Sequence, residues 1–161
     1  MATRIVTLNE ILDLFQQFVD GHPQLRDFGY GPTSDIGTTK QMEFPFMWAS
    51  HQSDSYIRIG NKTSIPELKI ILIFMDQVNI QANVNDAVGQ NSNNGQEIMS
   101  DMLQVLQDCV VDIQLNYGQY GIMMSEDVRI YPAFDETTDK TNGWVGEFTL
   151  KLTQFNCIIP S

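Results

Sequence analysis

The chain has 161 residues, 42% of them hydrophobic, with nine Lys plus Arg against twenty Asp plus Glu, a formal charge of −11 and a pI near 4.3. That length supports a single domain, residues 1–161, able to bury about two thirds of the surface its unfolded chain exposes. So acidic a chain is not built to grip nucleic acid in a groove, where affinity comes from phosphate neutralisation by basic side chains, although an acidic wall can line a passage that DNA slides through without sticking.

Thr7 and Glu10 have the spacing of a capping box, and Leu8, Ile11, Leu12, Phe15, Phe18 and Val19 then recur at helical intervals until Gly21. This predicts an amphipathic first helix. Residues 22–39 show no period. Pro23, Gly29, Gly31, Pro32 and Gly37 punctuate a stretch that still holds Leu25, Phe28 and Tyr30, so it is expected to be an extended loop with a function or to contain a short strand. Met42, Phe44, Phe46 and Trp48 alternate with Gln41, Glu43, Pro45 and Met47, which predicts a strand with one buried aromatic face. Pro45 has no N–H for a ladder and places that strand at an edge or a bulge.

Tyr56, Ile57 and Ile59 predict a further strand, broken at Gly60 and Asn61. Leu68 to Met75 (LKIILIFM) is apolar on both faces beyond Lys69, as in a central strand covered by helices on one side and by more protein on the other. Residues 83–96 are rich in Asn and Gly and read as an exposed loop or arm. Ile98, Met102, Leu106, Cys109, Ile113 and Tyr117 then define a second helix from about Gly95, ended by Gly118 and carrying Glu97 and Asp101 where the macrodipole favours acids. Val128, Ile130 and Tyr131 to Phe134 give another strand. A polar connection follows, and from Trp144 the residues Trp144, Gly146, Phe148, Leu150 and Leu152 share one face of the last strand. Strands grouped rather than alternating with helices point to an α+β fold, a mostly antiparallel sheet with two helices packed on one face.

Little in the chain suggests chemistry. His22 and His51 are its two histidines, and neither lies in a motif that supplies a catalytic partner. His22, just past the first helix, reads as structural. Asp135, Glu136 and Asp139 offer oxygen ligands, but Thr137 stands where a calcium loop needs Asp or Asn and Gly143 comes too late, so the stretch reads as a solvated turn. Cys109 and Cys157 are too few for a disulfide framework and lack metal-ligand spacing, which makes them reduced thiols. Met102, Trp48 and Trp144 are core candidates, with an interface role also open for Trp144. No cofactor or metal is expected, and the reading is of a non-enzyme. No segment has the length of a membrane span and the N-terminus lacks the pattern of a secretory signal, which is consistent with a protein made and kept in a cytoplasm.

Several separated segments belong together: Gly21-His22-Pro23 after the first helix, Phe28-Gly29 and Gly31, Phe44-Pro45-Phe46-Met47-Trp48, the Asn/Gly-rich loop before the long helix, Pro132-Ala133-Phe134-Asp135, Gly143-Trp144 and Asn156-Cys157-Ile158-Ile159-Pro160. Jointly they resemble small virion proteins of tailed bacteriophages, as in crAss-like phages, of the tail terminator or tail completion class. The resemblance implies a tail-terminator-like α+β subunit in a homo-oligomeric ring of six or twelve copies at the head-tail junction or tail. It further implies docking on adjacent portal, connector or tail ring proteins, with genomic DNA passing through the channel without specific binding, in a virion assembled in the host bacterial cytoplasm. His22, Phe28, Tyr30, Asn91, Asn93, Asn94 and Trp144 are then the candidate inter-subunit contacts, and residues 22–39 and 83–96 the candidate assembly loops. The competing expectation is a soluble adaptor that binds a protein through the edge strand near Pro45 or the 22–39 loop.

Overall fold

In the computed structural model, residues 6–38, 41–52, 54–61, 63–78, 95–125, 127–135 and 140–153 are described. Helix α1 (Leu8–Gly21) starts where the sequence placed it. Thr7 and Glu10 close the capping box reciprocally, each side chain taking the other's backbone N–H. Its apolar stripe, Ile11, Phe15 and Val19, is fully buried, each side chain contributing about 1.5–3 kcal/mol of transfer free energy.

Seven strands form one sheet: β1 (Asp27–Tyr30), β2 (Phe46–His51), β3 (Tyr56–Gly60), β4 (Thr63–Gln77), β5 (Ile122–Met124), β6 (Arg129–Asp135) and β7 (Thr141–Leu152). The main path runs β1-β2-β4-β7-β5, with β3 paired to β4 and β6 paired to β7. Only the β1–β2 pair is parallel. Helix α2 (Gly95–Asn116) continues into a short 3-10 turn, Tyr117–Tyr120. Both helices lie on one face of the sheet, where Ile11 and Phe15 of α1 and Met102, Val105, Leu106 and Cys109 of α2 meet Ile70, Leu72, Phe74, Phe148 and Leu150. The α+β architecture read from the sequence is the observed one. None of the described helices is long and apolar enough to cross a membrane.

Strand β4 organises the core. Its even positions Ile70, Leu72 and Phe74 face the helices, while Ile71, Ile73 and Met75 face the other side. A second apolar cluster covers that side: Met42, Phe46, Trp48 and Val145, with Ile36, Phe44, Tyr131 and Ala133 partly buried beside it.

Residues 22–38 contain a short strand, the second of the two forms expected of that segment: Asp27–Tyr30 pairs with β2, and a 3-10 turn spans Thr33–Asp35. The indole of Trp48 lies across Gly29, where an added Cβ would come within 2.3 Å of the ring, and its N–H donates to the Gly31 carbonyl at 3.0 Å. Side-chain packing of this kind leaves no periodic trace in the sequence. The strand near Pro45 is not at an edge, because it begins at Phe46, after the proline, and runs between β1 and β4. It is buried on both faces, Met47 and Ala49 toward the helices and Phe46 and Trp48 away from them. Finally, of residues 83–96, Gly95 and Gln96 open α2 and the rest lie outside the described residues.

Gly143 faces the β4 backbone so closely that a Cβ there would lie 1.8 Å from the Phe74 carbonyl oxygen. Gly143→Ala should therefore cost about 3 kcal/mol, near the upper end for overpacking, because a strand backbone cannot yield as a side chain can. Gly21→Ala, with nothing within 4 Å of the added methyl, should stay within about 0.5 kcal/mol of wild type. Urea unfolding of the two variants checks both values.

Candidate functional site

The central strand is longer than the cover over it. At its start, β4 extends past the helices and pairs with β3 to form a hairpin in the register Tyr56↔Glu67, Ile57↔Pro66, Arg58↔Ile65 and Ile59↔Ser64. All five residues of β3 are exposed. Because paired residues share a side, Tyr56, Arg58 and Glu67 lie on one face and Ile57, Ile59, Pro66 and Ser64 on the other.

The polar face is tied together. Glu67 is buried, accepts the Tyr56 hydroxyl, and takes Arg58 Nε at 2.9 Å. Arg58 also donates to the Tyr56 oxygen at 3.2 Å and lies over its ring. One turn of the ladder further on, Lys69 pairs with Asp54 and its backbone N–H donates to Ser55 Oγ at 2.9 Å. Hydrogen bonding from Tyr56, then from Arg58, holds the Glu67 carboxyl below its usual range. The Lys69 partner does the same for Asp54.

The apolar face has no cover among the described residues. Ile57 is 61% exposed and Ile59 85%, the most exposed large apolar side chain described. This face continues the helix-facing side of β4, Leu68, Ile70 and Leu72. A groove of about 200 Å³ opens elsewhere on the helix layer, lined by Val6, Glu10, Asp13, Leu14 and Gln17 of the α1 region and by Tyr120. A larger open cleft, about 870 Å³, lies beside Arg26, Met42, Glu43, Phe44 and Gln77. Its lining among the described residues contains no histidine or cysteine.

The residues singled out from the sequence take separate places. His22 is largely buried, with Nδ1 accepting from the Gln24 backbone N–H, Nε2 facing Asp108 of α2 at 3.2 Å, and the ring against Phe18. It joins the two helices, so its polar atoms are committed within the subunit. Phe28 is buried against Phe15 and likewise belongs to the core. Trp144 is half-buried on the helix side and donates Nε1–H to the Met99 carbonyl at 2.8 Å, which anchors α2 to β7. The described polar and ring contacts of these three are made within the subunit. Tyr30 stays exposed at the end of β1, edge-on to His51. Asn91, Asn93 and Asn94 lie outside the described residues, as do Glu136, Asp139 and Cys157. Cys109 is a buried free thiol, its ionisation pushed up by burial. No cluster of three or more potential metal ligands occurs among the described residues.

The sequence marked Ile57 and Ile59 as strand residues but gave no sign that their face lacks cover, and Tyr120 was not singled out. Exposure of an alternating apolar pair depends on where the helices stop, which is a tertiary fact. No family model and no curated protein matches the chain.

Two outcomes follow from this geometry. Since the folded Glu67 carboxyl titrates below its unfolded value, its contribution to the hairpin is complete above the ordinary carboxylate range and is lost as pH falls through the lowered value. NMR signals of the Tyr56 ring should shift in that acid window in wild type and not in Glu67→Gln. Trp144→Phe, which removes the indole N–H from Met99, should destabilise the fold by about 1–2 kcal/mol in urea.

Proposed function

We propose that this protein is a structural, non-catalytic subunit of a tailed-phage virion that assembles into a ring at the head-tail junction or tail, of the tail terminator, tail completion or connector kind. The observation that carries this reading is the β3–β4 hairpin, an element tied by its own side chains in which no described residue covers Ile57 and Ile59. Monomeric domains blunt an exposed strand edge with charge or cover it, and an apolar edge left open marks an association surface. A surface of this type that meets a different surface on the next copy closes into a ring when the rotation closes.

The resemblance read from the sequence supplies the copy number of six or twelve and the neighbours, portal or tail ring proteins. A net charge of −11 suits a channel that must let DNA pass without holding it. The adaptor reading is weakened where it relied on the edge near Pro45, since β1 occupies that edge.

Native mass measurement with negative-stain imaging tests the proposal, the expected result being closed rings of six or twelve copies. Portal, capsid and tail genes should also flank the coding sequence. A chain that stays strictly monomeric, both alone and with the proteins of adjacent genes, would overturn the reading.

A further inference from the structure

We infer that copies of this chain stack face to back: the outer side of the helix layer of one copy, centred on Val111 and Leu115 of α2, docks on the sheet strip that carries Met123, Arg129 and Lys151 in the next. The inference rests on the ring reading and gives that ring its interface.

The two surfaces lie on opposite sides of one end of the subunit. α2 runs along β7. The Trp144 indole N–H donates to the Met99 carbonyl, Leu106 lies beside Gly146, and the helix leads through the 3-10 turn into β5, which pairs with Leu150 to Leu152. The C-terminal half of α2 is therefore carried toward the last residues of β7. There Phe148, Leu150 and Leu152 face the helices, while Glu147 and Lys151 face the other side. Pairing puts Met123 on that other side beside Lys151, and Arg129 beside Glu147. The second apolar cluster reaches only to Ile71 and Val145, so among the described residues it leaves this strip open.

Charge is divided between the same two sides. Neither helix contains a lysine or arginine; α1 carries Glu10, Asp13 and Asp20, and α2 carries Glu97, Asp101, Asp108 and Asp112. Four of the six lysines and arginines among the described residues, Arg58, Lys69, Arg129 and Lys151, are gathered on the strip. Glu67 and Asp54 engage Arg58 and Lys69, so the strip's excess positive charge lies with the other two. The Arg129 side chain is 79% exposed and 3.9 Å from Glu147, and Lys151 has no ion pair among the described residues. In a chain at −11, this is the surface that an acidic helix layer approaches without repulsion. A foreign cationic partner would account for the acidic helices and leave the gathered cations unused. A second copy uses both, since each subunit offers its helices to one neighbour and its strip to the other, and a contact of this kind closes into a ring.

Apolar surface completes the match. Val111 and Leu115 are one helical turn apart on the outer side of α2, Leu115 being 76% exposed, and Met123 on the strip is 56% exposed. Ile57 and Ile59 also face the helix side of the sheet, so a copy docked on the helices approaches them from the same direction.

Leu115→Lys and Met123→Glu test the contact from its two sides, each placing a charge against a surface of like sign. Both side chains are exposed, so each variant should keep the wild-type far-UV spectrum and urea midpoint. Each alone should be monomeric where wild type forms rings, with the apparent Kd raised at least about 30-fold, as for loss of a central apolar anchor. An equimolar mixture should associate again, because an unaltered helix face then meets an unaltered strip. Rings formed by either folded variant as readily as by wild type would overturn this interface and leave the ring reading standing. Two monomeric variants whose mixture is also monomeric would show that the two faces do not meet, and overturn it equally. A wild-type chain monomeric alone and with its neighbouring virion proteins would instead defeat the ring reading itself, and the interface with it.

Discussion

The burial of β4 on both faces is the constraint on which the rest of the structure depends. A strand with Ile70, Leu72 and Phe74 on one side and Ile71, Ile73 and Met75 on the other needs two covers. The helices supply one through stripes whose spacing is already helical. The second comes from an irregular segment, where Met42 and Phe44 before β2 and Ile36 after the 3-10 turn close over Trp48 and Val145. With both covers in place, β4 pairs on one side with β2 and β3 and on the other with β7. The close approach of Gly143 to the Phe74 carbonyl shows how tightly the β4–β7 seam is set.

Because β4 is fifteen residues long and its covers are shorter, an overhang follows from the same constraint. The hairpin is the part of the central sheet that the described residues leave uncovered. Its two faces answer that exposure differently. The Tyr56, Arg58 and Glu67 side satisfies its own polar groups, so it is stable in water as it stands. The Ile57 and Ile59 side gains from leaving water, and no described residue covers it. In the proposed ring, this is the face that assembly would bury.

Three residues that looked suited to contacts between copies have tasks within the subunit. His22 links the end of α1 to Asp108, Trp144 links β7 to Met99, and Phe28 completes the packing around Phe15. Each joins elements far apart in sequence, and a large side chain with a polar tip is suited to that work as much as to an interface. Residue type alone cannot separate the two uses.

Local physics made much of this chain legible from sequence. The Thr7 and Glu10 capping box, the helical stripes of α1 and α2, the two-sided apolar run of β4 and the alternation of Phe148, Leu150 and Leu152 each depend on neighbours within a few residues, so spacing alone determined them. What only the tertiary structure decided is set by pairing across long separations. Asp27–Tyr30 becomes a strand because β2 is beside it, β2 loses its edge for the same reason, and Pro45 stands just outside the ladder it was expected to interrupt. Val145 faces the second cluster while Trp144 faces the helices, a division fixed by two covers rather than by period. Alternation told which residues of Tyr56–Gly60 share a side. That no described residue covers Ile57 and Ile59 is a tertiary fact, since burial depends on what lies opposite a side chain in space and not on what flanks it in the chain.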